Sequence, residues 1–212
     1  MGVAERKRRE REQRTSDILS AAEKLFLAKG YDGTTMDDIA RAAELGKGTL
    51  YLYFRNKEEA YSAIVLKGVR LMNGMFREAV AGKKKGIDKA SAMGAAFYEF
   101  YEKHPDYCRS FLFSTFALKE RENRYAGELA ELGASSLGLM TSALREGMKD
   151  GSIRPDIDVA KTAVALAFGV QGVVMELAAM DPKMAAVLGG KPRDFVEYSI
   201  DLLRRGMENR RR

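Results

Sequence analysis

Pro105, Pro155, Pro182 and Pro192 are the only prolines in this 212-residue chain, and none falls inside a run of helical periodicity. Strict apolar–polar alternation and long β-branched runs are also missing, while apolar residues recur at spacings of three and four. This pattern predicts an all-helical fold of about nine helices. With 46% hydrophobic residues, the chain can bury a sizeable core of one large or two small domains.

The helix boundaries follow from capping and breaking residues. Thr15 is an N-cap type, so a first helix is expected over 16–29, with Ile18, Ala22, Leu25 and Phe26 inward and Gly30 as its stop. Before it, residues 1–14 form a charged arm with six basic and three acidic side chains. That arm reads either as a solvated tail or as a segment lying along phosphates. Thr35 and Asp38 form a capping-box pair for a second helix, with Met36, Ile39 and Ala43 inward. Gly46 breaks the chain before a third helix, 47–54, and Asn56 with Glu59 caps a long fourth one ending near Ala81. A lysine-containing loop, 82–88, precedes a fifth helix at 89–103. Further helices are expected at 105–119, 125–149, 159–180 and 193–210.

Composition narrows the chemistry. One cysteine, Cys108, excludes an internal disulfide and fits a reducing cytoplasm. One histidine and one cysteine leave too few ligands for a structural zinc site, and no nucleophile–base pairing or phosphate loop suggests catalysis or a cofactor. The N-terminal segment has no apolar signal core, and the stretch 164–180 is interrupted by Gln171 and Glu176, so it reads as a buried helix rather than a membrane span. A cytoplasmic protein is expected. The net charge of +6 favours an anionic partner.

The region 35–57 supplies the groups to meet one. A short helix entering the major groove uses its first residues on base edges and phosphates. Lys47 brings a charge, Gly48 permits close backbone approach, and Thr49 suits a base edge or a thymine methyl. Tyr51 and Tyr53 offer hydroxyls to phosphates, and Lys57 can reach the same backbone. Leu50 and Phe54, four apart, anchor the helix inward.

From Ile18 to Ala60 the chain resembles the DNA-binding domain of the TetR/AcrR family of bacterial transcriptional regulators. The resemblance runs through Ala21-Ala-Glu-Lys-Leu-Phe26, Gly30-Tyr-Asp-Gly-Thr-Thr-Met36, Ile39-Ala40 and Lys47-Gly-Thr-Leu-Tyr-Leu-Tyr-Phe54 with Asn56-Lys57. It implies a three-helix helix-turn-helix domain at 1–57, including the arm, and a helical ligand-binding and dimerisation domain at 58–212. It also implies that Thr35, Tyr51, Tyr53 and Lys57 bind phosphates and that Lys47, Gly48 and Thr49 face the bases. Leu52 stands at a position that varies in the family, giving an apolar base contact or none. Glu44 and Gly46 depart from the family's turn, where glycine and a small hydroxyl residue are common. Modestly weaker DNA binding is the expected result.

Beyond residue 89, aromatic and methionine side chains suit a hydrophobic cavity, which members of the family keep here. Phe97, Tyr101, His104, Tyr107, Phe111, Phe116, Met140 and Phe168 are the candidates, although each also reads as core and His104 as a helix end. Acyl-CoA, fatty acid, an aromatic compound or a lipophilic drug would fit. The last two helices carry two apolar stripes each, one more than a surface helix needs. Val164, Gln171, Met175, Phe195, Tyr198 and Leu202 are the candidate partner-facing residues, matching the family's four-helix dimer interface. The resulting expectation is a homodimeric repressor on a palindromic DNA operator, released by a small hydrophobic effector. The alternatives are a ligand-independent architectural DNA-binding protein and a helical enzyme or small-molecule carrier.

Overall fold

The computed structural model describes residues 2–108, 124–180 and 191–209. They are predominantly helical, with one isolated antiparallel bridge between Ile153 and Glu208. The helices are α1 (Val3–Lys29), α2 (Met36–Ala42), α3 (Lys47–Tyr51), α4 (Lys57–Ala81), α5 (Gly86–Lys103), α6 (Ala126–Asp150), α7 (Val159–Ala179) and α8 (Pro192–Met207). A helical turn at 105–108 stands where the expected 105–119 helix begins, and the rest of that helix lies outside the described residues. The chain divides into two compact units, Met1–Gly68 with Asp106–Leu129, and Val69–Pro105 with Ala130–Arg212.

In the first unit, α1 begins thirteen residues earlier than its sequence suggests, at Val3 rather than Ser16. Thr15 is not a cap. Its hydroxyl donates back to the Arg11 carbonyl at 2.8 Å, the mid-helix alternative open to threonine. Ion pairs one turn apart, Arg6–Glu10, Arg8–Glu12 and Arg9–Glu5, line the charged segment, and no breaker interrupts it. The core joins Ile18, Ala22 and Phe26 of α1 to Ile39, Leu50, Phe54 and Ile64. Phe26, Tyr31 and Tyr61 complete it, with the Tyr61 ring edge-on to both others at 5.2 and 4.9 Å.

The second unit packs α5, α6, α7 and α8 around Ile87, Met93, Leu144, Ile153 and Ala163. Helix α5 starts at Gly86, not at Lys89, because a distant loop caps it. Its N-cap residue, Lys85, makes no side-chain cap bond. Asp150 instead accepts the Gly86 N–H at 2.8 Å, and the Ser152 hydroxyl accepts the Ile87 N–H at 3.3 Å. A Cβ on Gly86 would overlap the backbone of Gly147 and Ala143, so the α5–α6 crossing requires glycine there. Helix α8 opens on Pro192, as its sequence suggests, but ends at Met207 rather than Arg210. There Arg154 N–H donates to the Met207 carbonyl and Asn209 N–H to that of Ser152. Helix α7 corrects another expectation. It buries Ala163, Leu166, Val170 and Val174, yet leaves Val164 and Phe168 exposed, the latter at 69%. By length and hydropathy alone it could cross a membrane, a test that core helices also pass.

Candidate nucleic-acid interface and cavity

Three short devices build the head around α3. The first is the capping box at α2. The Thr35 hydroxyl accepts the Asp38 N–H at 3.1 Å, and Asp38 accepts both the Thr35 N–H and its hydroxyl. Those bonds, with Arg41 after them, hold the Asp38 carboxyl well below the usual carboxylate range.

The second device is the turn between α2 and α3. The Leu45 N–H reaches the Ala40 carbonyl at 2.8 Å and the Glu44 N–H that of Arg41 at 3.1 Å, a Schellman closure. Its left-handed residue is Glu44, at φ 54, the only non-glycine with positive φ among the described residues. Glycine is the usual occupant of this position, so the departure noted in the sequence falls where the backbone is strained.

The third device anchors α3 to α4. Leu50 and Phe54 are fully buried. The Asn56 side chain caps α4 through the Glu59 N–H at 2.9 Å. Buried Glu59 reaches back to the Arg55 N–H at 2.6 Å, one residue before the expected partner. Helix α3 ends at Tyr51, three residues short of Phe54, and closes through Tyr53 N–H to the Leu50 carbonyl.

The candidate DNA-facing residues share this head. Gly48 and Thr49 are exposed, as are Tyr51 and Leu52, the last at 72%. Gly46 is the N-cap of α3 and makes no side-chain cap bond. A Cβ on Gly48 would meet nothing within 4 Å, so the fold itself does not require glycine there. Other candidates have partners within the chain. Lys47 pairs with Asp37 at 2.5 Å, which raises its pKa. The Lys57 ammonium donates to the Tyr31 carbonyl at 2.8 Å and lies 4.3 Å from the centre of that ring. Tyr53 is half-buried beneath the Arg11 guanidinium, 5.4 Å from its ring centre.

Two arginines at this end were not singled out from the sequence. Arg11 donates to the Leu52 carbonyl at 3.3 Å, and Arg124 to the Tyr53 carbonyl at 2.8 Å. Arg124 also approaches Glu59 at 3.0 Å. The Arg11 signal was present in the spacing. Lys7, Arg11 and Arg14 fall on the helix face of buried Ile18, and Arg11 on that face reaches the head. Arg124 had no local signal, since it lies 71 residues from Tyr53.

In the second unit, α4, α5, α6, α7 and α8 line a partly open cavity of about 200 Å³ with a mostly apolar wall. Phe97 and Met140 line it, together with Phe76, Met93, Leu166 and Leu203. Other ligand candidates lie elsewhere. Tyr101 packs on the Tyr98–Val170–Val174 cluster, and His104 ends α5 with its ring 5.5 Å from Phe100. Tyr107 is buried in the first unit beside Gly68, while Phe111 and Phe116 lie outside the described residues. Phe168 is exposed on α7. Buried Cys108 has its thiol pushed up to about 12 by desolvation, so it stays protonated near neutral pH.

Of the candidate partner-facing residues, Val164, Tyr198 and Leu202 are exposed and Phe195 is half-buried. Val164 and Phe168 lie one turn apart on α7, and Tyr198 and Leu202 one turn apart on α8. Met175 is buried within its own chain, and Gln171 lines the cavity.

The family model for bacterial regulatory proteins, tetR family, matches residues 18–64. The chain is 33% identical over 152 residues to the HTH-type transcriptional repressor KstR2 of Rhodococcus jostii strain RHA1, covering 69% of this chain and 71% of that one. It is 31% identical over 144 residues to the uncharacterised HTH-type transcriptional regulator YhgD of Bacillus subtilis strain 168, covering 65% and 71%. Its fold matches the transcriptional regulator FadR from Bacillus subtilis, solved in complex with stearoyl-CoA, with a TM-score of 0.68 and 18% identity over 91% of this chain and 99% of that one.

Proposed function

This chain belongs to the TetR family of bacterial transcriptional regulators, and on that premise we propose that it is a repressor that binds a palindromic operator as a homodimer and leaves it when a small hydrophobic ligand fills the cavity. The observation that carries the DNA-binding part is Gly48. It stands in the first turn of an exposed helix held from behind by Leu50 and Phe54, with open space where a side chain would be. Glycine is a poorer helix former than alanine. Close approach of DNA backbone or bases accounts for its presence there. Thr49, Tyr51 and Leu52 lie beside it as the base and phosphate contacts. Thr35, Lys47, Tyr53 and Lys57 complete the set, the lysines keeping spare donors beyond their present partners.

The exposed pairs Val164–Phe168 and Tyr198–Leu202 support the dimer. Exposed apolar rows on two neighbouring helices fit a four-helix interface with two helices from each chain. Two heads would then read half-sites roughly 34–36 Å apart.

Release follows from a ligand that binds the DNA-free arrangement more tightly, since equal affinity for both would shift nothing. Met72 and Phe76 line the cavity from α4, the helix that begins directly behind the head. Selection of bound sequences from a random DNA pool tests the reading. A two-fold symmetric site at one-turn spacing is expected. Recovery of sequences without a common site would instead favour an architectural DNA-binding protein.

A further inference from the structure

The polar groups in the cavity wall bear on the effector's chemistry, an argument resting on the reading of that cavity as the effector site. Four lining side chains carry hydrogen-bonding groups: Ser91, Ser136, Gln171 and Arg204. Ser91 donates its hydroxyl to the Ile87 carbonyl at 3.0 Å. Arg204 lies 3.5 Å from Asp88 and 3.6 Å from Glu208, so one guanidinium faces two carboxylates and the trio stays net negative. An anion gains little from such an arginine. Ser136 and Gln171 remain. The Ser136 hydroxyl is buried with no hydrogen-bond partner among the described residues, a state that protein interiors rarely tolerate. The Gln171 amide also lines the cavity and has no partner among the described residues. Both groups are neutral, and each can donate and accept.

We propose that the cavity takes an uncharged lipophile, an apolar body ending in a hydroxyl or ketone oxygen, which Ser136 and Gln171 hydrogen-bond, and that the Asp88–Arg204–Glu208 trio turns carboxylates away. A ligand oxygen would satisfy the buried hydroxyl, and the remaining wall would cover the apolar body.

Isothermal titration of the full chain with 1-octanol, 2-octanone and octanoate at neutral pH tests this assignment. The two neutral probes are expected to bind, and octanoate about tenfold more weakly or not at all. Ser136→Ala weakens both neutral probes about tenfold while leaving the thermal midpoint unchanged or raised. Asp88→Asn combined with Glu208→Gln leaves Arg204 unopposed, and octanoate then binds at least as well as octanol. Three outcomes would each overturn the assignment: octanoate matching octanol on the unaltered protein, octanol binding unaffected by Ser136→Ala, or no binding by either neutral probe. Operator release measured on the same samples separates this idea from the regulatory reading. Neutral probes that bind without releasing operator defeat the release mechanism and leave the ligand class standing. Octanoate that binds as tightly as octanol and releases operator does the reverse.

Discussion

Glu44 holds a backbone conformation that favours glycine, and it carries a negative charge into the turn beside the proposed DNA-reading helix. Glu44→Gly should therefore raise stability in urea by about 0.5–1 kcal/mol and tighten operator binding together. A stability gain without tighter binding would mean that the carboxylate lies away from the phosphates. Asp38 gives a second residue-level expectation. Its carboxyl is held low by the Thr35 hydroxyl first, then the Thr35 N–H and Arg41. A depressed native pKa contributes stability that is fully present above the unfolded carboxylate value, near 4, and is lost as pH falls through the native value. Asp38→Asn should thus lower stability at neutral pH and make little difference in strong acid. Urea melts across the acid range would show the two curves converging as pH falls.

At the scale of the element, α1 is the main departure from expectation. A threonine at position 15 is as able to bond back to its own helix as to start one, and its type does not say which. The ordered segment puts Lys7, Arg11 and Arg14 on one face, and Arg11 already touches the end of α3. Replacing Lys7 and Arg14 together with alanine should weaken binding to operator and random DNA alike. The slope of log affinity against log salt should flatten by roughly 0.9 for each phosphate contact removed. An unchanged slope would show that the arm stays clear of DNA. The head was otherwise legible because capping is local: Thr35 with Asp38, and Asn56 with Glu59, lie three residues apart. Of the described ligand candidates, Phe97 and Met140 line the cavity. Helices such as α7 are apolar on nearly every side, so neighbouring helices, not the helix's own sequence, decide which face looks inward. The same ambiguity placed Phe168 among ligand candidates, although it stands exposed with Val164.

For the whole molecule, the exposed rows on α7 and α8 make the proposed dimer, which the proposed function requires, open to measurement. Phe168→Asp with Leu202→Asp should shift the mass seen by light scattering from two chains to one, with helical content retained. Operator affinity should fall by more than tenfold, because a lone head forfeits the second half-site. A dimer that survives both changes would move the interface elsewhere.

The empty space at Gly48 has a consequence for cells that carry two copies of the gene. A Cβ added there meets nothing within 4 Å, so altered chains should accumulate normally and enter assemblies with unaltered ones. Each mixed pair would hold one blind head. A Gly48→Glu allele should consequently derepress the regulated promoter even beside an intact allele, as a reporter assay in a merodiploid would reveal. Alleles that simply unfold the protein would be masked by the intact copy.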